Sequence, residues 1–107
     1  MIFDAEMLYG FFVVDSKRHW GVAGEVELAA GFEELIVSPF VIAELEPMVT
    51  GRLGPEAWLA VLEQLAGGAW TIAAVDLEHL AAVRGRVAAG EALAAASVAV
   101  LSEGDDS

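Results

Sequence analysis

The chain has 107 residues, no cysteine, and 17 acidic against five basic side chains, which gives a net charge of −12. A hydrophobic fraction of 57% is enough for one core, and the lack of cysteine excludes disulfides, thiolate zinc sites and a cysteine nucleophile. The acidic balance opposes binding to a polyanion through surface charge, so any contact with nucleic acid has to be local and assisted by a metal. The acidity either solubilises the surface or attracts a basic protein partner.

The first third of the chain is predicted to alternate strands and helices. Residues 1–4 form a short strand that ends at Asp4, and apolar periodicity predicts helices over 7–14 and 20–30. A short apolar run over 35–37, rich in β-branched residues, predicts a second, buried strand.

A third helix is predicted to begin at Ser38 and Pro39, because serine is a favoured N-cap residue and proline suits the first helical position. Glu44 falls within the apolar stripe of this helix, where a carboxylate needs a partner. Pro47 lies too far inside the helix to be a first-turn proline, so it is expected to kink or end the helix at the preceding residue. The apolar stripe consists of Phe40, Val41, Leu45, Met48 and Val49.

The second half of the chain continues the alternation. Gly54 and Pro55 open a fourth helix, and a strand follows over 70–75. Asp76 caps the next helix, which runs to residue 89, and a final helix over 92–101 is apolar on all sides and is expected to be buried. The residues expected to face inward are Trp58, Leu59, Leu62 and Leu65 on the fourth helix, and Leu80, Val83 and Val87 on the fifth.

This alternation predicts an α/β fold with a short, mostly parallel sheet flanked by helices, and with its ligand site beyond the carboxyl ends of the strands. A single domain is expected over 1–103, with an acidic tail over 104–107. Asp4 and Glu6 stand where a signal peptide would need a basic region. The longest uncharged stretch, 64–75, is shorter than the roughly 20 residues of a membrane helix, so a soluble, cytoplasmic protein without membrane contact is expected.

Asp4 and Glu44 are the candidate functional residues. Each is a carboxylate set at the boundary of an apolar element, and Mg²⁺ takes oxygen ligands, usually one or two carboxylates with water and phosphate. The pair therefore suggests a divalent metal and phosphodiester chemistry.

The remaining polar and aromatic residues are interpreted as structural or as solvated. Asp76 is explained as an N-cap, and Ser97 has no evident base beside it, which argues against a hydroxyl nucleophile. The side chains assigned to the surface or to packing are Glu6, Glu46, His19, His79, Trp20, Trp58 and Trp70.

Several stretches carry a resemblance to a known family. Residues 2–4, 36–45 and 93–99 read IFD, IVSPFVIAEL and LAAASVA, and His19 and the RLGPEA run over 52–57 lie between them. In this order they resemble the PIN-domain ribonucleases, in particular the VapC toxins of bacterial toxin–antitoxin pairs. The SPFVIAEL run is the most specific of these stretches.

The resemblance implies a PIN-like three-layer α/β/α sandwich that cleaves RNA with Mg²⁺ or Mn²⁺ held by three or four acids. Asp4 and Glu44 fall on the first two acidic positions of the family. The third, usually an aspartate in a Leu-Ala-Asp-Ala-Ser stretch, is Ala95 here, and the strand that carries the fourth has no counterpart in the chain. Glu91, four residues before Ala95, is a further candidate metal ligand if the last helix extends back that far.

Two readings of function from different classes follow from the resemblance. The first is a metal-dependent endoribonuclease with an RNA substrate, a cognate antitoxin and a homodimeric state. The alternative is a catalytically inactive PIN-like binding module that dimerises or accepts arginine from a basic, antitoxin-like partner. Ala95 and the short C-terminus are either natural features or the result of engineering or shortening, and the sequence leaves both open.

Overall fold

The computed structural model describes residues 1–13 and 34–105. The elements, in chain order, are β1 (Ile2–Phe3), α1 (Ala5–Phe12), β2 (Ile36–Val37), α2 (Pro39–Leu53), α3 (Pro55–Leu65), β3 (Thr71–Ile72), α4 (Leu77–Ala88) and α5 (Leu93–Asp105). The helix predicted over 20–30 lies outside the described residues, together with His19 and Trp20. Within the described ranges, no helix is both long enough and apolar enough to cross a membrane.

The three strands form a parallel sheet in the order β1-β2-β3, which confirms the predicted α/β class. Phe3 pairs with Val37, and Val37 pairs with Ile72. The strand predicted over 70–75 is limited to two residues, although the Ala73 amide still donates to the Val37 carbonyl at 2.9 Å. Because parallel strands end at one edge of the sheet, the residues that follow β1 and β2 lie side by side.

The core lies between the sheet and the helices. Phe3, Leu8, Val37 and Leu45 are fully buried in it, and Trp58 is 8% exposed. Trp70 packs at its margin, with its ring centroid 5.0 Å from that of Phe3 in an edge-on arrangement. The assignment of Trp58 and Trp70 to packing is confirmed.

Helix α2 continues through Pro47 to Leu53, so of the two outcomes predicted for Pro47, a kink or an end, the end is wrong. Proline removes the N–H that would bond the carbonyl of Ala43. Ala43 and Pro47 are both exposed, so water can satisfy that carbonyl on the outer side of the helix. The opposite side of α2 is anchored in the core by three fully buried residues, Val41, Leu45 and Val49.

The inward faces of α3 and α4 differ from the prediction. On α3 the buried residues are Trp58, Val61 and Leu65, and Leu59 is 64% exposed. On α4 they are His79 and Val83, and Leu80 and Val87 are exposed. The chain offers more apolar residues than its short helices can turn inward, so hydrophobicity alone does not select the face.

Helix boundaries also shift at both ends of the chain. Helix α1 begins at Ala5, two residues earlier than predicted, because Asp4 caps it. Helix α5 is not buried all round, since Leu93 and Ala95 are exposed while Ala94 and Ala96 are buried. It runs to Asp105, into the stretch expected to be an acidic tail.

Candidate active site

Asp4 stands between β1 and α1, at the carboxyl edge of the sheet. Its backbone is extended, and its Oδ1 accepts a hydrogen bond of 2.8 Å from the Met7 amide, so it is the N-cap of α1. This bond fixes the carboxylate beside a helix N-terminus, where the helix dipole favours negative charge. The side chain stays exposed.

Glu44 lies in the second turn of α2. The sequence placed it within the buried stripe, but the structure has it exposed, next to fully buried Leu45. The helix therefore turns Glu44 to the edge of its packed face. Ser38, the N-cap of α2, fixes the start of this helix by accepting from the Phe40 amide at 3.2 Å.

One cavity of about 200 Å³ brings Asp4 and Glu44 together. Residues from α1, α2 and α5 complete its walls, and Ala95 is among them. The full lining is Asp4, Ala5, Glu6, Val41, Glu44, Ala94, Ala95 and Val98. Two distant acids and the position of the missing third thus share one site, at the sheet edge where ligands bind in such folds.

The donor set of this cavity is small. Over residues 1–13 and 34–105, no three histidine or acidic side chains are grouped closely enough to hold a metal ion. Two carboxylates can hold Mg²⁺ or Mn²⁺ when water and substrate phosphate supply the remaining oxygens. The methyl group of Ala95 contributes no oxygen, so the residues fit a weakly held, mostly hydrated ion.

Glu6 lines the same cavity and is exposed, as expected for a solvated side chain close to Asp4. It follows Asp4 by two residues, in the first turn of α1. The cavity therefore has three acidic side chains on its walls. Asp4 and Glu6 come from one element and Glu44 from another.

Glu91 does not line this cavity. Helix α5 begins at Leu93, so Glu91 precedes it and the expected helical spacing to Ala95 is not met. Its Oε1 accepts a hydrogen bond of 2.9 Å from Arg86, which also donates to Glu103. The bond to Glu103 raises the pKa of the Arg86 guanidinium, the nearby charges of Glu103 and Glu91 raise it further, and burial opposes them.

A second hollow, of about 450 Å³, surrounds the N-terminus of α4. Asp76 caps this helix as predicted, with its Oδ1 accepting from the His79 amide at 2.8 Å. The hollow is lined by Ala74, Asp76, Glu78, His79, Ala82, Val100 and Glu103. Its acidic side chains are Asp76 and Glu78 at the start of α4 and Glu103 near the end of α5.

Sequence reasoning missed a buried polar group behind the Asp4 cavity. Ser97 lies 2.7 Å from Ser38, oxygen to oxygen, and 2.8 Å from Nε2 of His79. An imidazole therefore stands beside Ser97, contrary to the expectation that no base would. Because Ser97 is fully buried, its hydroxyl has no access to a substrate, and the conclusion that it is not a nucleophile stays unchanged.

Comparison with known proteins points to one family. No protein-family model matches the chain. Ribonuclease VapC26 of Mycobacterium tuberculosis is 40% identical over 86 residues, which are 78% of this chain and 62% of that protein, so the chain spans less than two thirds of its relative. The crystal structure of Mycobacterium tuberculosis VapC20, described as a sarcin–ricin loop cleaving toxin, matches 99% of this chain and 84% of its own at a TM-score of 0.80 and 14% identity. The chain is therefore similar in sequence and fold to the PIN-domain VapC toxins, and the resemblance found in its sequence is confirmed.

Proposed function

We propose that this chain is a metal-dependent endoribonuclease of the VapC type, with Asp4 and Glu44 as the carboxylates that hold Mg²⁺ or Mn²⁺. The cavity that these two residues share is the observation that carries the proposal. The 40% identity to a protein named as a ribonuclease supports the choice of reaction and of RNA as the substrate. A composition without cysteine supports a reducing, cytoplasmic location.

The chemistry assigned to the two acids follows from their positions. A bound divalent cation supplies a Lewis acid for the phosphate and lowers the pKa of its water. Asp4 presents its carboxylate from a fixed cap, and Glu44 presents its own from a helix whose opposite face is buried. The two side chains thus offer negative charge from two anchored elements, which would fix the position of a cation bound between them.

Ala95 limits the expected activity. A carboxylate at this position would add a third oxygen donor to the cavity wall, and its absence lowers the charge that concentrates the cation. The net charge of −12 adds repulsion toward RNA phosphates. We therefore assign weak cleavage to this sequence and stronger cleavage to a variant in which the third acid is present.

The test compares the unmodified chain with Ala95→Asp and with Ala95→Asn, a control of nearly the same size without the charge. Each is incubated with labelled bacterial ribosomal and transfer RNA in Mn²⁺, in Mg²⁺ and in EDTA. We expect cleavage that needs the metal, that is strongest for Ala95→Asp, and that is lost when Asp4→Asn is added. A folded Ala95→Asp variant that neither binds Mn²⁺ nor cuts RNA contradicts the proposal.

A second candidate function is favoured by Ala95 and by the lack of a third grouped ligand among the described residues. In it the acidic cavity accepts an arginine of a basic, antitoxin-like partner instead of a cation, with or without homodimerisation. An arginine-containing peptide that competes with Mn²⁺ for the unmodified chain, and whose binding is lost in Glu44→Gln, supports this function. Cleavage by the unmodified chain without any such peptide binding contradicts it.

A further inference from the structure

The side chains of Ser38, Ser97 and His79 form a buried link, which joins the start of α2, the middle of α5 and the first turn of α4. Its two contacts measure 2.7 Å between the serine hydroxyls and 2.8 Å from Ser97 to the imidazole. Both serines are fully buried, and His79 is 8% exposed. Hydrogen bonds shielded from water are costly to lose, because the freed groups find no solvent partner.

One direction of donation satisfies both hydroxyl protons of the buried link. Ser38 already accepts from the Phe40 amide, so its own proton needs an acceptor, which is the Ser97 oxygen. Ser97 then donates to Nε2 of His79. In the reverse direction, the Ser38 proton has no acceptor among the described contacts. The imidazole therefore serves as the terminal acceptor.

Helix α5 is held by different contacts along its length. Toward its C-terminus, Glu103 accepts a hydrogen bond from Arg86 of α4. Beside the cavity its fully or nearly buried residues are the small Ala94, Ala96 and Ser97, and Val98 is partly buried against the core. Small residues allow close approach but interlock little, so the directional bonds of Ser97 add a constraint to the part of α5 that lines the cavity.

We propose that Ser38, Ser97 and His79 are positioning residues, which hold the α5 wall of the cavity against Asp4 and Glu44 and so set the affinity of the cavity for a divalent cation. The geometry supports this because two of the three residues of the link belong to elements that line the cavity. Ser38 caps the helix that carries Glu44, and Ser97 lies next to Val98 and two residues after Ala95, which both line the cavity. This inference rests on the proposed function, since it concerns the same cavity.

The first experiment measures Mn²⁺ affinity by electron paramagnetic resonance in the Ala95→Asp variant. Adding Ser97→Ala is expected to weaken binding by about tenfold, as outer-shell partners of metal sites commonly do. His79→Leu should do the same, and His79→Gln, which keeps an acceptor for Ser97, should restore most of the affinity. Val61→Ala, a core change on α3 away from the link, is the control for lost stability. Equal weakening by Val61→Ala and Ser97→Ala overturns the proposal.

A second measurement needs no metal. Since the chain has no cysteine, nitroxide labels can be attached at Glu46→Cys on α2 and Ser102→Cys on α5, both at exposed positions, and their separation measured by pulsed dipolar spectroscopy. Ser97→Ala is expected to shift or broaden the distance distribution, His79→Leu likewise, and His79→Gln to leave it narrow.

The two readouts separate the two proposals. An unchanged distance distribution in both Ser97→Ala and His79→Leu overturns the positioning role, whatever the metal data are. A shifted distribution in a protein that binds no Mn²⁺ at any variant supports the positioning of α5 and contradicts the proposed function instead. A shifted distribution with unchanged Mn²⁺ affinity overturns the claim that the buried link sets metal binding.

Discussion

Asp4 and Asp76 have nearly the same local structure and different surroundings. Each has an extended backbone, caps a helix, and accepts a 2.8 Å bond from the amide three residues on. Asp4 directly follows a paired strand and shares its cavity with Glu44 from another helix. Asp76 follows unpaired residues, and Glu103 in its hollow is already bonded to Arg86. An aspartate that caps a helix therefore does not by itself indicate a functional site. Asp4 becomes a candidate because a carboxylate from a different element, Glu44, lines the same cavity and has no described ion pair.

The largest expected difference between Asp4 and Asp76 is in how much each contributes to the stabilisation of the protein by Mn²⁺. In the Ala95→Asp variant, Mn²⁺ at 100 times its dissociation constant should add about 2.7 kcal/mol to the free energy of unfolding. Asp4→Asn removes this gain, because it deletes the charge but keeps an amide that caps well. Asp76→Asn leaves it intact. Urea denaturation with and without Mn²⁺ measures the stabilisation in both variants. If Asp76→Asn also abolished it, the proposed difference between Asp4 and Asp76 would be wrong.

A second comparison adds an acid to each cavity. Ala95→Asp is expected to strengthen Mn²⁺ binding at least tenfold, about 1.4 kcal/mol, because the new carboxylate would line the same cavity as Asp4 and Glu44. Ala74→Asp, which adds an acid beside Asp76, should leave the affinity unchanged. Isothermal titration with Mn²⁺ checks this. An equal gain in both variants would mean that acidity alone, and not the sheet edge, decides binding.

The two caps should behave alike when metal is absent. Asp4→Ala and Asp76→Ala are each expected to lower the free energy of unfolding by about 1 kcal/mol, because each leaves an amide at a helix start without its acceptor. Chemical denaturation in EDTA gives both values. A stabilised Asp4→Ala would show instead that repulsion among Asp4, Glu6 and Glu44 exceeds the contribution of the cap.

The smallest expected effect concerns Arg86, which engages Glu103 at the margin of the Asp76 hollow. Arg86→Ala should lower the melting temperature less than the loss of a cap does, and 1 M NaCl should remove most of the difference, because exposed ion pairs are screened. Arg84→Ala, on the same helix, is the control. If Arg86→Ala, which frees Glu103, created Mn²⁺ binding in the hollow beside Asp76, then the Arg86–Glu103 ion pair alone would explain why Asp4 and Asp76 differ.

The sequence predicted those features that local chemistry decides. Two helices begin where expected, at Ser38–Pro39 and at Asp76. The side chains of Ser38 and Asp76 accept hydrogen bonds from amides in the first turn, so neighbouring residues decide these helix starts. Asp4 was placed at the carboxyl edge of the sheet from the strand that precedes it, and it lines one cavity with Glu44. The metal-binding role of the two acids stays a prediction.

Features decided by packing over long distances were missed. His79 turns inward instead of Leu80, because Ser97 offers it a partner from a helix 18 residues further along the chain. The spacing of apolar residues in α4 does not indicate that His79 has a partner on α5. For the same kind of reason the sequence did not indicate that Glu91 lies outside the Asp4 cavity. The first residue of α5 and the bond from Arg86 to Glu91 both depend on tertiary packing.

Pro47 has a consequence for the mechanics of the site. The carbonyl that it leaves without an intrahelical partner belongs to Ala43, and that peptide group leads directly into Glu44. The missing backbone hydrogen bond of α2 therefore lies next to Glu44, which carries one of the two carboxylates. Bending here would cost less than elsewhere in the helix, so any change in the distance between Glu44 and Asp4 would be easiest at this turn.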